Sequence, residues 1–104
     1  MTSHVISVIL PAYRASSVVA AGVARVRNAM PGVELEIIVV DDGSGDNTHL
    51  VARRAGADKV IKLAKNRGKG AAVRAGMMSA SGSYFVFTDV DLSYDPSQIS
   101  VLVE

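Results

Sequence analysis

Apolar residues in this chain fall into short unbroken runs, and these alternate with stretches whose apolar positions recur at helical spacing. Val5 to Leu10 is β-branched and nearly all apolar, the pattern of a strand buried on both faces. Pro11 is expected to end its hydrogen-bond ladder. Ser16 or Ser17 can cap a helix that runs to about Met30, with Val18, Val19, Val23 and Val26 as its apolar positions, and Pro31-Gly32 stops it. A second strand is predicted over Leu35 to Val40. The cap-rich turn Asp42 to Thr48 follows, then a helix through about Ala55 with Gly56 as its C-cap. A short third strand, Lys59 to Leu63, precedes the loop Lys65 to Gly70 and a helix from about Ala71 to Ala80. A fourth strand is predicted over Ser83 to Thr88, and Pro96 is placed to open a last helix.

Strand–helix alternation with short loops predicts an α/β fold: a Rossmann-like parallel sheet with helices on both faces and right-handed crossovers. The 104 residues suit a single domain over 1–104. With 49% hydrophobic residues and only 5% aromatics, its core must be aliphatic. The chain stops inside the apolar pattern Val101-Leu102-Val103-Glu104 with no terminator, so the domain is expected to be cut at its C-terminal end. The fourth strand would then leave an open edge through which copies of the chain self-associate as a homo-oligomer.

Charge and composition narrow the function classes. A net charge of +1 gives no bulk attraction to nucleic acid. The absence of cysteine excludes disulfides and thiolate metal sites and suits the cytoplasm. No basic stretch leads into an apolar leader, and no apolar run approaches the ~20 residues of a spanning helix. A cytoplasmic location is therefore expected, reaching the cytoplasmic face of a membrane through parts outside this chain.

In a parallel sheet, ligands sit at the carboxyl ends of the strands, and here each of those ends carries polar chemistry. Asp41-Asp42 closes the second strand and Asp89-Val90-Asp91 closes the fourth. Carboxylates there are costly unless a cation or polar ligand sits among them. An Asp-x-Asp pair can share Mg²⁺ with a diphosphate. Asp42 is favoured over Asp41 as the ligand-facing member, accepting from a ribose hydroxyl or base N–H. Arg67 and Lys69 lie beside Gly68 and Gly70 before a helix, which makes an anion cradle, although the Ser/Thr that follows Lys in a P-loop is missing. Tyr13, after Pro11-Ala12, can stack on a base or cover the core. His4 and His49 read as surface residues, Met77-Met78 as core filler, and Ser44 and Ser93 have no histidine partner in pattern for nucleophilic work.

Four segments in this order resemble the inverting nucleotide-sugar glycosyltransferases of the GT-A fold, family 2. They are similar above all to the dolichyl- or polyprenyl-phosphate mannosyl- and glucosyltransferases. The segments are Val8 to Tyr13, Ile38 to Thr48, Asn66 to Gly76 and Thr88 to Pro96. The resemblance implies an enzyme whose N-terminal, donor-binding half is this chain. It implies that Pro11, Ala12, Tyr13, Val40 and Asp42 line the nucleoside pocket and that Arg67 and Lys69 lie near the diphosphate. It implies further that Asp89, Val90 and Asp91 hold the nucleotide, that Asp89 and Asp91 carry Mg²⁺ or Mn²⁺ and the catalysis, and that Asp91 is the most direct metal ligand. The donor would be GDP-mannose or UDP-glucose and the acceptor a lipid phosphate. One departure stands out: the family has Asn and then Glu after the Tyr, where this chain has Arg14 and Ala15.

Rival readings explain less. A receiver-like phospho-accepting module accounts for Asp41, Asp42 and Asp89 but not for Asp91 or Arg67-Gly68-Lys69-Gly70. An inactive binding or assembly fragment accounts for the abrupt end alone. A dinucleotide-binding module lacks Gly-x-Gly-x-x-Gly after the first strand.

Overall fold

The computed structural model of the chain describes residues 5–88 and 100–103. These form β1 (Val5–Ala12), α1 (Val19–Ala29), β2 (Glu34–Asp41), α2 (Thr48–Arg54), β3 (Lys59–Lys62), α3 (Lys69–Ser79), β4 (Tyr84–Phe87) and β5 (Ser100–Val103). The sheet order is β3-β2-β1-β4-β5. β1 pairs in parallel with β2 and β4, and β2 in parallel with β3. The chain therefore winds outward from β1 in one direction, then returns to β1's other side at β4. That reversal opens a crevice at the carboxyl ends of the strands.

Alternation along the strands assigns each apolar side chain to a face. Val8, Leu10 and Ala12 of β1 join Ile37 and Val39 of β2 under Val19, Val23 and Val26 of α1 and Ala52 of α2. Ile9, Ile38 and Val40 meet Ala72 of α3 on the other face. Full burial of each such aliphatic is worth about 1.5–3 kcal/mol, so the central strands carry most of the stabilisation. Helix α3 lies close on its face. A Cβ on Gly76 would come within 2.5 Å of Ile9 Cγ2, which is why small residues recur along this helix.

Three details differ from the sequence reading. Pro11 does not end β1, because it pairs in register with Val40 and the strand continues to Ala12. Ile9 accepts from Thr88 N–H on the β4 side, whereas Ala12 accepts from Asp42 N–H on the β2 side. Pro11 shares Ile9's parity, so its missing N–H faces the side where β4 has already ended, and no ladder bond is lost. Helix α1 starts at Val19 without a side-chain cap from Ser16 or Ser17; the Ala15 carbonyl accepts from Val18 N–H and Val19 N–H instead.

The third correction is at the end of the chain. Residues 89–99, with Pro96 and the helix expected there, lie outside the described residues, but Ser100–Val103 is a strand, antiparallel to β4. Ser-Val-Leu-Val is too short to show a helical period, its composition favours a strand, and β4's outer edge supplies unpaired backbone groups. β4 is thus not an open edge, and the expected route to self-association through it is closed. No helix among the described residues is long and apolar enough to cross a membrane.

At the opposite end of the sheet from the crevice, Glu36 ties four elements together. It accepts from Ser7 Oγ at 2.8 Å, Ser81 N–H at 2.9 Å and Ser81 Oγ at 2.6 Å. Lys59 Nζ lies 3.2 Å from its Oε2 and also donates to the Ser79 carbonyl. Burial works to raise the Glu36 pKa, but the hydrogen bonds from Ser81, Ser7 and Lys59 outweigh it and hold the group at about 2 rather than 4.5. A folded-state value below the unfolded one means stabilisation present in full above about 4.5 and withdrawn as the pH falls toward about 2. Urea denaturation at stepped pH should show the unfolding free energy falling through that window, with Glu36→Gln giving a flatter curve. Superimposable slopes for the two proteins would remove Glu36 from the account.

Candidate nucleotide site

The loop after β2 is the centre of the carboxyl-end rim. Strand parity continues into it: Asp41 follows Ile37 and Val39 toward the α1/α2 face, and Asp42 follows Ile38 and Val40 toward the α3 face. Asp42 is 4% exposed. Its Oδ1 accepts from Arg67 N–H at 2.8 Å and its Oδ2 from Gly68 N–H at 2.9 Å. One carboxylate therefore fixes the loop after β3. Leu63 N–H donates to the Asp41 carbonyl at 2.9 Å and completes the attachment.

Gly43 lets the two loops touch. It adopts φ +70°, and a Cβ there would lie 2.2 Å from the Lys65 carbonyl carbon and 2.3 Å from Asn66 N. No L side chain fits both the conformation and the contact.

The loop after β1 is held from the other side. Ser44 Oγ accepts from Arg14 N–H at 2.7 Å, and Thr48 Oγ1 accepts from Ala15 N–H at 3.1 Å. Ser44 N–H in turn donates to Asp41 Oδ1 at 3.0 Å. Thr48 also bonds Asp46, whose carboxyl is held below its usual range chiefly by the Thr48 hydroxyl and backbone N–H.

These constraints sort the residues expected at the site. Tyr13 is 44% exposed at the end of β1, and Arg67 and Lys69 are exposed in the loop after β3, on the far side of β2. Lys69 is the first residue of α3, whose first turn holds no acidic side chain of its own; the Asp42 carboxylate meets the helix at its N-cap residue, Gly68. Val40 and Ala12 are 0% and 2% exposed, and Pro11 is buried as well. These three side chains are packed at the carboxyl end of the central strands. Asp42, expected to face a ligand, accepts one backbone N–H from the next loop on each of its oxygens. Asp89, Val90 and Asp91 lie outside the described residues; they follow Thr88, which is anchored to Ile9. Among the described residues no group of three or more metal-binding side chains occurs.

Sequence reasoning missed three positions. His49, read as a surface residue, has its side chain only 18% exposed with Nδ1 3.5 Å from Asp41 Oδ2. Neither atom has a hydrogen bond among the described residues. Helix α2 has seven residues, too few for a period that would show which side His49 takes. Met78 is 82% exposed, and the signal was available: adjacent helical residues point about 100° apart, so Met77 and Met78 cannot both enter the core. Met78 and Arg74 instead border a groove of about 610 Å³ with Leu63 and Arg67. Ser44, set aside as a nucleophile, positions the β1 loop.

A doubly wound α/β sheet whose first three strand-end loops are stitched into one rim defines a nucleotide-binding fold. Residues 7–104 match the family described as Glycosyl transferase family 2, and the chain belongs to that family. It is 38% identical over 102 residues to the dolichol-phosphate mannosyltransferase of Pyrococcus furiosus, covering 95% of this chain and 29% of that protein. It is 48% identical over 67 residues to the human dolichyl-phosphate beta-glucosyltransferase, covering 59% of this chain and 21% of that one. The chain thus spans less than a third of either relative. Among solved structures, it resembles a mannosyltransferase of Pyrobaculum calidifontis in complex with GDP-Man and Mn²⁺, with a TM-score of 0.76 and 26% identity over 88% of this chain and 28% of that one. It also resembles the glucosyl-3-phosphoglycerate synthase of Mycobacterium tuberculosis in complex with Mn²⁺, UDP and phosphoglyceric acid, with a TM-score of 0.74 and 30% identity over 89% of this chain and 35% of that one.

The geometry predicts two stability effects, both readable by urea denaturation. Gly43→Ala should cost about 2 kcal/mol or more, because strained backbone and a clash with neighbouring backbone add. Asp42→Asn should cost about 1–3 kcal/mol, since the amide turns a donor toward one of two backbone donors. Losses within about 0.5 kcal/mol, the range of neutral surface changes, would contradict the stitched rim.

Proposed function

We propose that this chain is the donor-binding domain, over 1–104, of a hexosyltransferase. It takes a nucleoside-diphosphate sugar and transfers the hexose, with inversion, to a polyprenyl or dolichyl phosphate. The observation that carries the reading is the double hydrogen bond from Arg67 and Gly68 to Asp42. It sets the basic loop and the first turn of α3 on the same rim as Tyr13. Tyr13 is then the stacking surface for the base, and Arg67 and Lys69, with the N-terminal N–H groups of α3, bind the diphosphate.

Asp89 and Asp91 are hard oxygen donors of the kind that share Mg²⁺ or Mn²⁺ with phosphate oxygens, and they are the residues that would hold it. Such an ion supplies Lewis-acid neutralisation of the charge that builds on the departing diphosphate. The acceptor oxygen forms its bond to the anomeric carbon from the face opposite the bond to the diphosphate. That second bond breaks, and its electron pair leaves with the nucleotide. A phosphate-monoester acceptor, with a second pKa near 6, is already ionised at neutral pH and needs little help from a general base. An acceptor carrying a lipid places the work at a membrane face.

The receiver-like alternative fares worse. A phospho-accepting aspartate must be reachable, and Asp41 and Asp42 are 0% and 4% exposed with oxygens bonded to backbone N–H groups.

Titration calorimetry with GDP-mannose and UDP-glucose tests the proposal. Binding of one of them should strengthen roughly tenfold or more with Mn²⁺, and Asp91→Ala should abolish that gain. Absent or metal-independent binding, with Asp91→Ala indistinguishable from the unmodified chain, sinks it.

A further inference from the structure

Arg14 is the one residue other than glycine at positive φ among the described residues, at +49°. For a long side chain this conformation is unfavourable, and it is held by the 2.7 Å bond from Arg14 N–H to Ser44 Oγ. Ser44 is itself buried at 7% exposure and tied to Asp41. The strained backbone is therefore over-determined by its surroundings. Its effect is to aim one side chain: the Arg14 guanidinium stands 5.1 Å above the centroid of the Tyr13 ring. Both residues are exposed at the carboxyl end of β1, beside the strand-order reversal.

Among the described residues the guanidinium is paired with no carboxylate: none lies within 4 Å of it. Asp46 feels its charge only at longer range, as a minor contribution to its own lowered pKa. A planar fork of N–H donors, held over an aromatic platform, seeks two adjacent acceptors. A diphosphate offers such acceptors, but Arg67, Lys69 and the α3 N-terminus already face it on the loop after β3. What remains beside Tyr13 is the base. Guanine presents O6 and N7 side by side, the pair that arginine takes bidentately. Uracil alternates acceptor, donor, acceptor, and adenine sets a donor beside N7, so neither accepts the fork; cytosine's O2 and N3 are a second acceptor pair, crowded by the ribose at O2, and CDP is the control for it. The relatives solved with nucleotide include both GDP-Man and UDP, so membership of the family leaves the base open.

We propose that Arg14 is the base-specificity residue of this chain: stacked on Tyr13, it forks onto O6 and N7 of guanine and selects guanosine diphosphate donors. The inference rests on the donor-binding reading above and adds to it the identity of the base.

The test is calorimetric titration of the chain, with Mn²⁺ present, by GDP, UDP, CDP and ADP. Arg14→Lys and Arg14→Gln are run alongside, and circular dichroism reports that both variants fold. GDP should bind about tenfold or more tighter than each of the others, as one bidentate contact provides. Both variants should lose that advantage while their UDP affinity stays within about twofold. The lysine variant is the sharper arm, because it keeps the charge and removes the fork. Equal affinities for GDP and UDP, tighter binding of CDP, retention of the preference by Arg14→Lys, or a uniform loss across all four nucleotides would each overturn the assignment while leaving the donor-binding reading intact. Failure of all four to bind the unmodified chain would overturn both.

Discussion

The rim of this sheet depends on one buried carboxylate. Asp42 sits at 4% exposure and would be costly there as a bare charge. Two backbone N–H groups meet it, from Arg67 and Gly68. Hydrogen bonds to a charged acceptor are worth about 1.5–3 kcal/mol each, roughly twice a neutral pair. Gly68 is also the N-cap residue of α3, so the positive end of that helix adds to the field at the carboxylate. Charge, donors and dipole offset the desolvation together. Gly43 is the steric counterpart, since the bond lengths require a backbone approach that any side chain there would block.

The sheet order makes this local contact matter beyond its loop. β2 lies between β1 and β3, so the segment that follows it is the only one that can reach both neighbouring loops. It does so with different groups on each side: Ser44 and Thr48 hold the loop after β1, and Asp42 holds the loop after β3. The strands beneath supply rigidity at another scale. Seven apolar strand residues, Val8, Ile9, Leu10, Ile37, Ile38, Val39 and Val40, are at 0% exposure, and removing any of their side chains would cost more than a rim hydrogen bond. Packing fixes where the strand ends stand, and the smaller polar terms decide how the loops are turned.

That division of scale explains what could be read from the sequence. The four strands Val5–Ala12, Glu34–Asp41, Lys59–Lys62 and Tyr84–Phe87 and the helices between them are legible because unbroken β-branched runs and helical spacing report burial directly. The surroundings of Val40 and Asp42 were not legible in the same way. Position along a strand says which end of the sheet a residue occupies, and parity says which face; neither says which backbone donors the next loop brings. Once α3 is known to cover the face of Ile38 and Val40, the direction of Asp42 follows from parity alone. β5 escaped because four residues carry no period, and the cap of α1 escaped because a backbone carbonyl, Ala15, did the work that Ser16 and Ser17 were suited to do.

The polar groups of the rim divide by sign. Asp41 turns inward to Ser44 and His49, Asp42 inward to the next loop, and Asp46 is engaged by Thr48. The exposed side chains of the described rim include Tyr13, Arg14, Lys65, Arg67 and Lys69, an aromatic and four cations. Such a surface suits the base and the anionic diphosphate but has no oxygen set for a divalent ion, in keeping with the absence of a metal-binding cluster among the described residues. A donor site that needs such an ion must draw its carboxylates from another strand end. β4 is the strand across the crevice from this rim, and in the sequence Asp89 and Asp91 come directly after it. The doubly wound order thus separates two acidic segments in one chain: the pair after β2 is spent on backbone N–H groups of the rim loops, and the proposal above assigns the cation to the pair that follows β4 in the sequence.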